Sequence, residues 1–172
     1  TPAFGVSGTT TDGNLLRDRA ARDLASWQDL LGSVTAEDLA RAADLLVGAE
    51  AVYLVGQLRS APVVVLMHYI LTMLGKRCIL LDSSGGLATH VAHTMGKGDV
   101  LFAVSFRFYA TEVVNIVEEA ALAGVPVVAI SDSTLSPLAK AAAVMFAVPE
   151  RDYSFSRSLA APMCLAQALA LA

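Results

Sequence analysis

Five short apolar runs, separated by segments of helix length, follow residue 48 of this 172-residue chain. Continuous runs of Val, Ile and Leu without polar alternation are typical of parallel strands that are covered on both faces. Alternation of such strands with helices predicts a doubly wound sheet, because right-handed crossovers place helices on both of its sides. We therefore expect a three-layer α/β/α domain with a five-stranded parallel sheet in the flavodoxin-like order 2-1-3-4-5. The runs are AVYLVG (51–56), RCILLD (77–82), DVLFAVS (99–105), VPVVAIS (125–131) and AAVMFAVP (142–149).

Two helices are predicted before the first strand. Apolar residues recur at helical spacing from Asn14 to Leu31, and Thr35 with Asp38 resembles a capping box that starts a second helix. This divides the chain into a flexible leader (1–13), a helical linker or arm (14–48) and the α/β domain (49–172). Within the domain, helices are expected at about 60–75, 86–95, 111–123, 137–141 and 158–170.

Composition limits the function classes. Apolar residues make up 55% of the chain and the mean hydropathy is +0.59, but the longest apolar helix candidate, residues 61–75, is shorter than the roughly 20 residues that a membrane span needs. The net charge of −4 argues against nucleic-acid binding by this chain alone, because phosphate affinity comes from clustered Lys and Arg. Any DNA contact would need another segment, and we expect no membrane partner.

The two cysteines bear on the compartment. Cys78 lies in a strand-like apolar run and Cys164 in an Ala- and Leu-rich helical one, so both are expected to be small buried hydrophobic residues. Two unpaired thiols favour a reduced, cytoplasmic setting.

A candidate ligand site follows from the predicted sheet. Doubly wound sheets bind ligands at the carboxyl ends of the strands where the strand order reverses, here between strands 1 and 3. The loops at that point supply two hydroxyls and two guanidiniums near helix N-termini, an arrangement suited to an anion. The alternative is that both arginines are solvated or pair with Glu112 or Asp82. The candidate residues are Gly56, Arg59, Ser60, Ser105 and Arg107.

Two more loops end at the same edge. The loop DSSGGLATH after strand 2 adds Ser83 and Ser84 as ligand-binding candidates, although a simple turn with Ser as N-cap is the alternative. The loop SDSTLSP after strand 4 contains Ser131, Asp132 and Ser133, and its composition favours a simple turn.

Catalytic and metal motifs are weak. His90 and His93 share one helical face, but no Cys or third His lies near them in sequence, so we expect no metal site and no cofactor. His68 lies in an apolar helix and is expected to be structural. No nucleophile motif is present, and Glu112 is only a weak candidate for a general base.

The chain resembles the sugar isomerase (SIS) domain, and more narrowly the effector-binding domain of RpiR-type bacterial transcription regulators. The resemblance extends over about residues 15–172 and rests on GQLRS (56–60), the Ser105 loop, AISDSTLSPLAKAA (129–142) and FSRSLAAPMCLAQALA (155–170). It implies a homodimer that senses a phosphorylated sugar or related ligand, with DNA contacted only through a helix-turn-helix domain absent from this chain.

This chain departs from the family pattern in both phosphate loops. The first family loop, Gly-x-Gly-x-Ser, matches Gly56 and Ser60 but has Leu58 at its second Gly. The second matches Ser105 and Glu112, whereas Arg107, Phe108 and Ala110 replace Ser, Gly and Thr. We therefore expect Arg59 and Arg107, with their planar two-point recognition, to hold an anionic carbohydrate derivative, which includes sugar acids and other carboxylates. The alternative is that the pocket has lost ligand binding and that Phe108 fills it.

Three functions remain open at this point. The first is a metabolite-sensing domain of an RpiR-type regulator, with no catalysis. The second is a sugar-phosphate isomerase, which needs a correctly placed base. The third is a dimerisation module that binds no ligand, which excess apolar helix surface would suit.

Overall fold

The computed structural model describes residues 12–149 and 157–172, so most of the predicted leader lies outside the described residues. Strands and helices alternate as predicted. The strands are β1 (Val52–Val55), β2 (Cys78–Leu80), β3 (Val100–Ser105), β4 (Val127–Ser131) and β5 (Val144–Ala147). The helices are α1 (Asp12–Ser33), α2 (Ala36–Gly48), α3 (Ala61–Met73), α4 (Ala88–Ala92), α5 (Thr111–Leu122) and α6 (Ala160–Leu171).

The five strands form one parallel sheet in the order β2-β1-β3-β4-β5, which confirms the predicted topology. Val55 of β1 pairs with Ala103 of β3, and Ser105 of β3 pairs with Ser131 of β4. The strand order therefore reverses between β1 and β3, the switch point at which ligands bind in such sheets.

Alternate residues of the central strands belong to two separate cores. On one face, Leu54 and Phe102 pack with α2, α3 and α6, while on the other, Tyr53 and Leu101 pack with α4 and α5. All residues of β1, β3 and β4 are buried, as the apolar runs predict. The edge strands differ: every residue of β2 and alternate residues of β5 are only half-buried, because no further strand covers their outer sides. For these two strands the expectation of burial on both faces is wrong.

The two N-terminal helices differ in their packing. The predicted start of α2 is confirmed, since Thr35 is its N-cap and Asp38 donates its backbone N–H to Thr35 Oγ1 at 3.0 Å. Ala42, Ala43 and Leu46 of α2 are buried in the domain. By contrast α1 is largely exposed and packs on α6, with Leu30 as its buried residue.

Two predicted helices are shorter than the sequence suggested. The segment 86–95 contains only the five-residue α4, because Gly85 and Gly86 adopt positive φ before it and Thr94 Oγ1 donates to the carbonyl of Val91 after it. The segment 137–141 is a single 3₁₀ turn, Pro137–Lys140, capped by Ser136.

The expectation that both cysteines are buried is wrong. Cys164 lies on the exposed side of α6, and Cys78 is half-buried because its strand is at the edge of the sheet. Burial raises the pKa of the Cys78 thiol, more than its hydrogen bond with Thr72 and the charge of Lys76 lower it.

None of the helices in residues 12–149 and 157–172 is both long and apolar enough to cross a membrane.

Candidate functional site

The loop after β1 follows a narrow path to α3. A Cβ on Gly56 would lie 3.0 Å from Val64 Cγ1 and 3.2 Å from the carbonyl oxygen of Ser60, so only glycine fits without moving the first turns of α3. Ser60 is buried and donates its backbone N–H to the carbonyl of Gln57 at 3.0 Å. Gly56 and Ser60 therefore fix the shape of the loop.

Leu58 lies at the tip of the same loop with φ +54, a left-handed conformation that favours glycine. Its side chain is exposed. The second glycine of the family pattern has thus been replaced while the backbone conformation that suits glycine is retained.

Gln57 connects three loops at the switch point. Its Nε2 donates to Ser83 Oγ at 2.6 Å and to Glu112 Oε2, and Thr89 Oγ1 contacts Glu112 Oε1 at 3.5 Å. We call Gln57, Ser83, Thr89 and Glu112 the polar cluster. It brings together side chains that follow β1, β2 and β3. Ser83 and Glu112 were candidates from the sequence, whereas Gln57 and Thr89 were missed, although Gln57 lies inside the GQLRS motif.

Arg59 is directed along the edge of the sheet. Its Cζ lies 4.7 Å from the centre of the Phe106 ring, and Nη2 donates to the carbonyl of Ser158 at 3.3 Å. A guanidinium over an aromatic face gains cation–π attraction and loses mobility. The loops after β1 and β3 are therefore in direct contact, and the half-buried Arg59 also reaches the segment before α6.

The loop after β3 is held by Asp132, which follows β4. Its carboxylate accepts the backbone N–H of Arg107 at 3.2 Å, the hydroxyl of Tyr109 at 2.9 Å and the hydroxyl of Ser131 at 3.2 Å. Ser131 Oγ also lies 2.6 Å from the carbonyl oxygen of the buried Ser105, so its single proton is shared between the two acceptors, with the shorter contact to Ser105. The predicted turn is present, since the Ser133 hydroxyl and carbonyl oxygens accept the backbone N–H groups of Leu135 and Ser136, and Asp132 in addition joins two loops through the contacts above. We call these contacts the Asp132 latch.

The latch also sets the environment of Tyr109. Burial is the largest cause that raises the pKa of the Tyr109 phenol, followed by the hydrogen bond to Asp132 and the negative charge of Asp132. Each of these disfavours the phenolate. The Arg107 side chain is exposed, and its carbonyl oxygen accepts a hydrogen bond from Arg157 Nη2 at 3.4 Å.

Ser84 has a local role in the loop after β2. Its backbone N–H and hydroxyl both bond to Asp82 Oδ1, at 3.0 and 2.9 Å, and these two bonds lower the pKa of the Asp82 carboxyl. The turn alternative therefore holds for Ser84, whereas Ser83 joins the polar cluster.

No metal-binding cluster of three His, Cys, Asp or Glu residues occurs within the part of the chain that the structure describes. His93 Nε2 lies 2.9 Å from Glu119 Oε2, so the histidine on the α4 side contacts α5.

The structure brings the four loops together at one edge of the sheet. Gln57 bonds to Ser83 and Glu112, Arg59 covers Phe106, and Arg107 is tied to Asp132. That Arg59 and Arg107 hold one anion between them stays a prediction.

The fold and this edge define a class: a doubly wound α/β domain with a cluster of polar side chains at its topological switch point. The sequence model of the SIS domain matches residues 45–172, which is most of the chain. The chain therefore belongs to the SIS domain family.

Similar proteins include regulators. An uncharacterized HTH-type transcriptional regulator of Thermotoga maritima is 28% identical over 134 residues, 78% of this chain and 45% of that protein. The chain thus spans less than half the length of this curated relative. The sugar isomerase domain of an RpiR transcription factor from Sphaerobacter thermophilus superimposes with a TM-score of 0.86 at 26% identity, covering 91% of this chain and 88% of that one.

Two other solved structures share the fold. The NanR protein of Vibrio vulnificus, complexed with ManNAc-6P, has a TM-score of 0.83 at 24% identity, covering 93% of this chain and 62% of that one. Phosphoheptose isomerase from Neisseria gonorrhoeae has a TM-score of 0.76 at 18% identity, covering 93% and 97%.

Proposed function

We propose that this chain is the metabolite-sensing domain of an RpiR-type transcription regulator and that it binds an anionic carbohydrate derivative. The observation that supports this best is the polar cluster, in which Gln57 joins the loops after β1, β2 and β3 at the switch point. A carboxylate, an amide and two hydroxyls are groups that hydrogen-bond to sugar hydroxyls. The similarity to regulators supports the sensing role.

The proposed ligand is anionic because arginines lie on both sides of the switch point. Arg59 is held over Phe106, and Arg107 is exposed on the latched loop. Guanidiniums bind carboxylates and phosphates through two parallel hydrogen bonds. Phosphorylated sugars and sugar acids both satisfy this requirement, and the ManNAc-6P named with NanR is a phosphorylated sugar.

A thermal-shift screen tests this function. The melting temperature is measured with sugar phosphates, sugar acids and small dicarboxylates, since a ligand at 100 times its dissociation constant stabilises by about 2.7 kcal/mol. We expect at least one anionic carbohydrate to raise it, and Gln57→Ala to reduce that rise. Glu118→Ala, an exposed change on α5 outside the polar cluster, is the control that keeps it. Absence of a shift with every carbohydrate anion would contradict the proposal.

Sugar-phosphate isomerase is the second candidate, because Glu112 lies in the polar cluster at the first turn of α5. Moving a proton between carbons next to a carbonyl needs such a base within reach of the substrate. Turnover of an aldose phosphate that is lost in Glu112→Gln but kept in Glu118→Gln would favour the enzyme. Ligand binding without turnover favours the sensor.

We also propose a homodimer. Val65, Tyr69 and Met73 recur at intervals of four residues on α3, and all three side chains are exposed. A stripe of this kind suits a subunit interface. Sedimentation velocity tests it: Tyr69→Asp should shift the protein toward the monomer, whereas an unchanged sedimentation coefficient would place the interface elsewhere. A dimer that binds no ligand in the screen would favour the dimerisation module.

The DNA-binding role is proposed for the whole regulator. An N-terminal helix-turn-helix would supply the cationic surface that this acidic chain, with a net charge of −4, does not provide. Operator binding by a longer protein that contains this chain, altered by the ligand found in the screen, is the expected result.

A further inference from the structure

Four large apolar side chains are exposed at the edge of the sheet that bears the polar cluster. They lie one on each loop that follows β1, β2, β3 and β4, and we call them the apolar rim. The exposed fractions are 81% for Leu58, 58% for Leu87, 84% for Phe108 and 92% for Leu135. Single exposed apolar residues are common, but one on each of four loops at the same edge of the sheet is a pattern that suits contact with a ligand.

Three residues of the apolar rim lie close in sequence to residues of the candidate site. Leu58 lies between Gln57 and Arg59, and Leu87 is two residues before Thr89. Phe108 lies between two positions of the Asp132 latch, Arg107 and Tyr109. Because the loops after β1 and β3 touch through Gln57 and Arg59, Leu58 and Phe108 lie on adjoining loops. Polar and apolar contacts are therefore available to one ligand at the same time.

Leu58 gives independent support to the rim. Its φ of +54 is a conformation in which a β-carbon is unfavourable and glycine is favoured. The side chain gains little from packing within the domain, since four fifths of its surface is exposed. A leucine at this position is therefore better explained by a contact outside the chain than by folding.

We propose that the ligand is an amphipathic anion, a carbohydrate derivative that bears an aryl or alkyl substituent, and that this substituent lies against Leu58 and Phe108. The inference rests on the proposed function, because the arginines and the polar cluster bind the anionic carbohydrate part. The rim then selects for the substituent, since covering one leucine or phenyl side chain contributes about as much as a tenfold gain in affinity.

Matched ligands test the inference directly. Isothermal titration compares phenyl β-D-glucoside 6-phosphate with methyl β-D-glucoside 6-phosphate, and phenyl β-D-glucuronide with methyl β-D-glucuronide. Within each pair the charged group, the sugar and the anomeric configuration are the same, so only the substituent differs, phenyl against methyl. We expect the phenyl compound of at least one pair to bind about tenfold more tightly than its partner.

Substitutions of Leu58 and Phe108 test whether these two residues cause the tighter binding of the phenyl compound. Leu58→Gly and Phe108→Ser should each lower the ratio of the two dissociation constants toward one, and the glycine variant relieves the left-handed leucine and so keeps the fold. Leu122→Ser is the matched control: it removes an equally exposed leucine at the end of α5, away from the loops, and should keep the ratio.

The outcomes separate this inference from the proposed function. Equal affinities within both pairs would overturn the amphipathic ligand and leave anion sensing standing. If none of the four compounds binds although the thermal-shift screen finds an anionic carbohydrate that does, the amphipathic ligand is overturned and anion sensing stands; if the screen also finds none, both are overturned. If Leu58→Gly and Phe108→Ser instead convert a dimer to a monomer in sedimentation, a second copy covers the rim and the inference is also overturned.

Discussion

Asp132→Ala removes the acceptor on which the Asp132 latch depends. Three donors from two loops converge on this carboxylate: the backbone N–H of Arg107 and the hydroxyls of Tyr109 and Ser131, at 2.9 to 3.2 Å. After the substitution the half-buried Tyr109 hydroxyl is able to turn to water and the buried Ser131 hydroxyl keeps its bond to the Ser105 carbonyl, but this carboxylate no longer ties the loop after β3 to the loop after β4. We therefore expect a less stable domain with a mobile Arg107 loop.

The magnitude follows from the number of bonds and their exposure. A hydrogen bond to a charged group contributes about 1.5–3 kcal/mol when buried. Asp132 is half-buried and water competes for it, so the three bonds together should contribute about 2–3 kcal/mol rather than their full sum. For a domain of this size, each kcal/mol corresponds to about 2–4 °C in melting temperature.

Urea unfolding of a set of variants measures this contribution. Tyr109→Phe removes one of the three bonds and should cost about 1 kcal/mol. In the variant that combines Asp132→Ala with Tyr109→Phe, the two losses of stability should be less than additive, with a coupling energy of at least about 0.5 kcal/mol. The reason is that both substitutions remove the same hydrogen bond, from Tyr109 to Asp132. Glu118→Ala serves as the surface control. A loss below about 0.5 kcal/mol for Asp132→Ala, the range of ordinary surface substitutions, would refute the latch.

Three further predictions concern the anion, the pH and the thiols. Arg107→Ala should weaken binding of the carbohydrate anion by about 1.5–3 kcal/mol, which is a roughly tenfold or larger rise in the dissociation constant. An unchanged dissociation constant in titration would show that Arg107 does not contact the anion. Because the pKa of Tyr109 is raised in the folded state, the unfolded chain loses this proton first as the pH rises above the ordinary tyrosine pKa of 10.0. Urea unfolding between pH 9 and 11 should therefore show stability falling with pH, and Tyr109→Phe should make that fall shallower; identical slopes would contradict the assignment. With a thiol reagent, the exposed Cys164 should react before Cys78, because burial raises the pKa of the Cys78 thiol. The variants Cys164→Ser and Cys78→Ser each leave one thiol, so the two rates are measured separately. Equal rates would show that Cys78 is more accessible than the structure describes.

The sheet was predictable because each strand can be recognised from a short continuous stretch of sequence. Each strand lies inside one of the five apolar runs, and the order β2-β1-β3-β4-β5 follows from crossover handedness and the common doubly wound arrangement. Edge positions were less predictable, since β2 has the composition of a central strand and is half-buried only because no strand covers its outer side.

The candidate site was predicted by position but not by contact. The switch-point rule indicated the loops that contain Arg59, Ser83 and Glu112. It gave no means to find that Gln57 bonds to Ser83 and Glu112, or that Asp132 accepts the Arg107 N–H, because these bonds join residues 25 to 55 positions apart. Side-chain partners at such separations depend on tertiary geometry, which residue types alone do not determine.

The central position of β3 limits how a ligand bound at this edge of the sheet would affect the rest of the domain. β3 is bonded to β1 on one side and β4 on the other, and all six of its residues are buried. Its amides should exchange with deuterium only when the whole domain unfolds. A ligand bound at the polar cluster is therefore expected to leave the exchange of β3 unchanged and to alter exchange at the first turns of α3 and α5, so that its effect would reach the rest of the domain through these two helices.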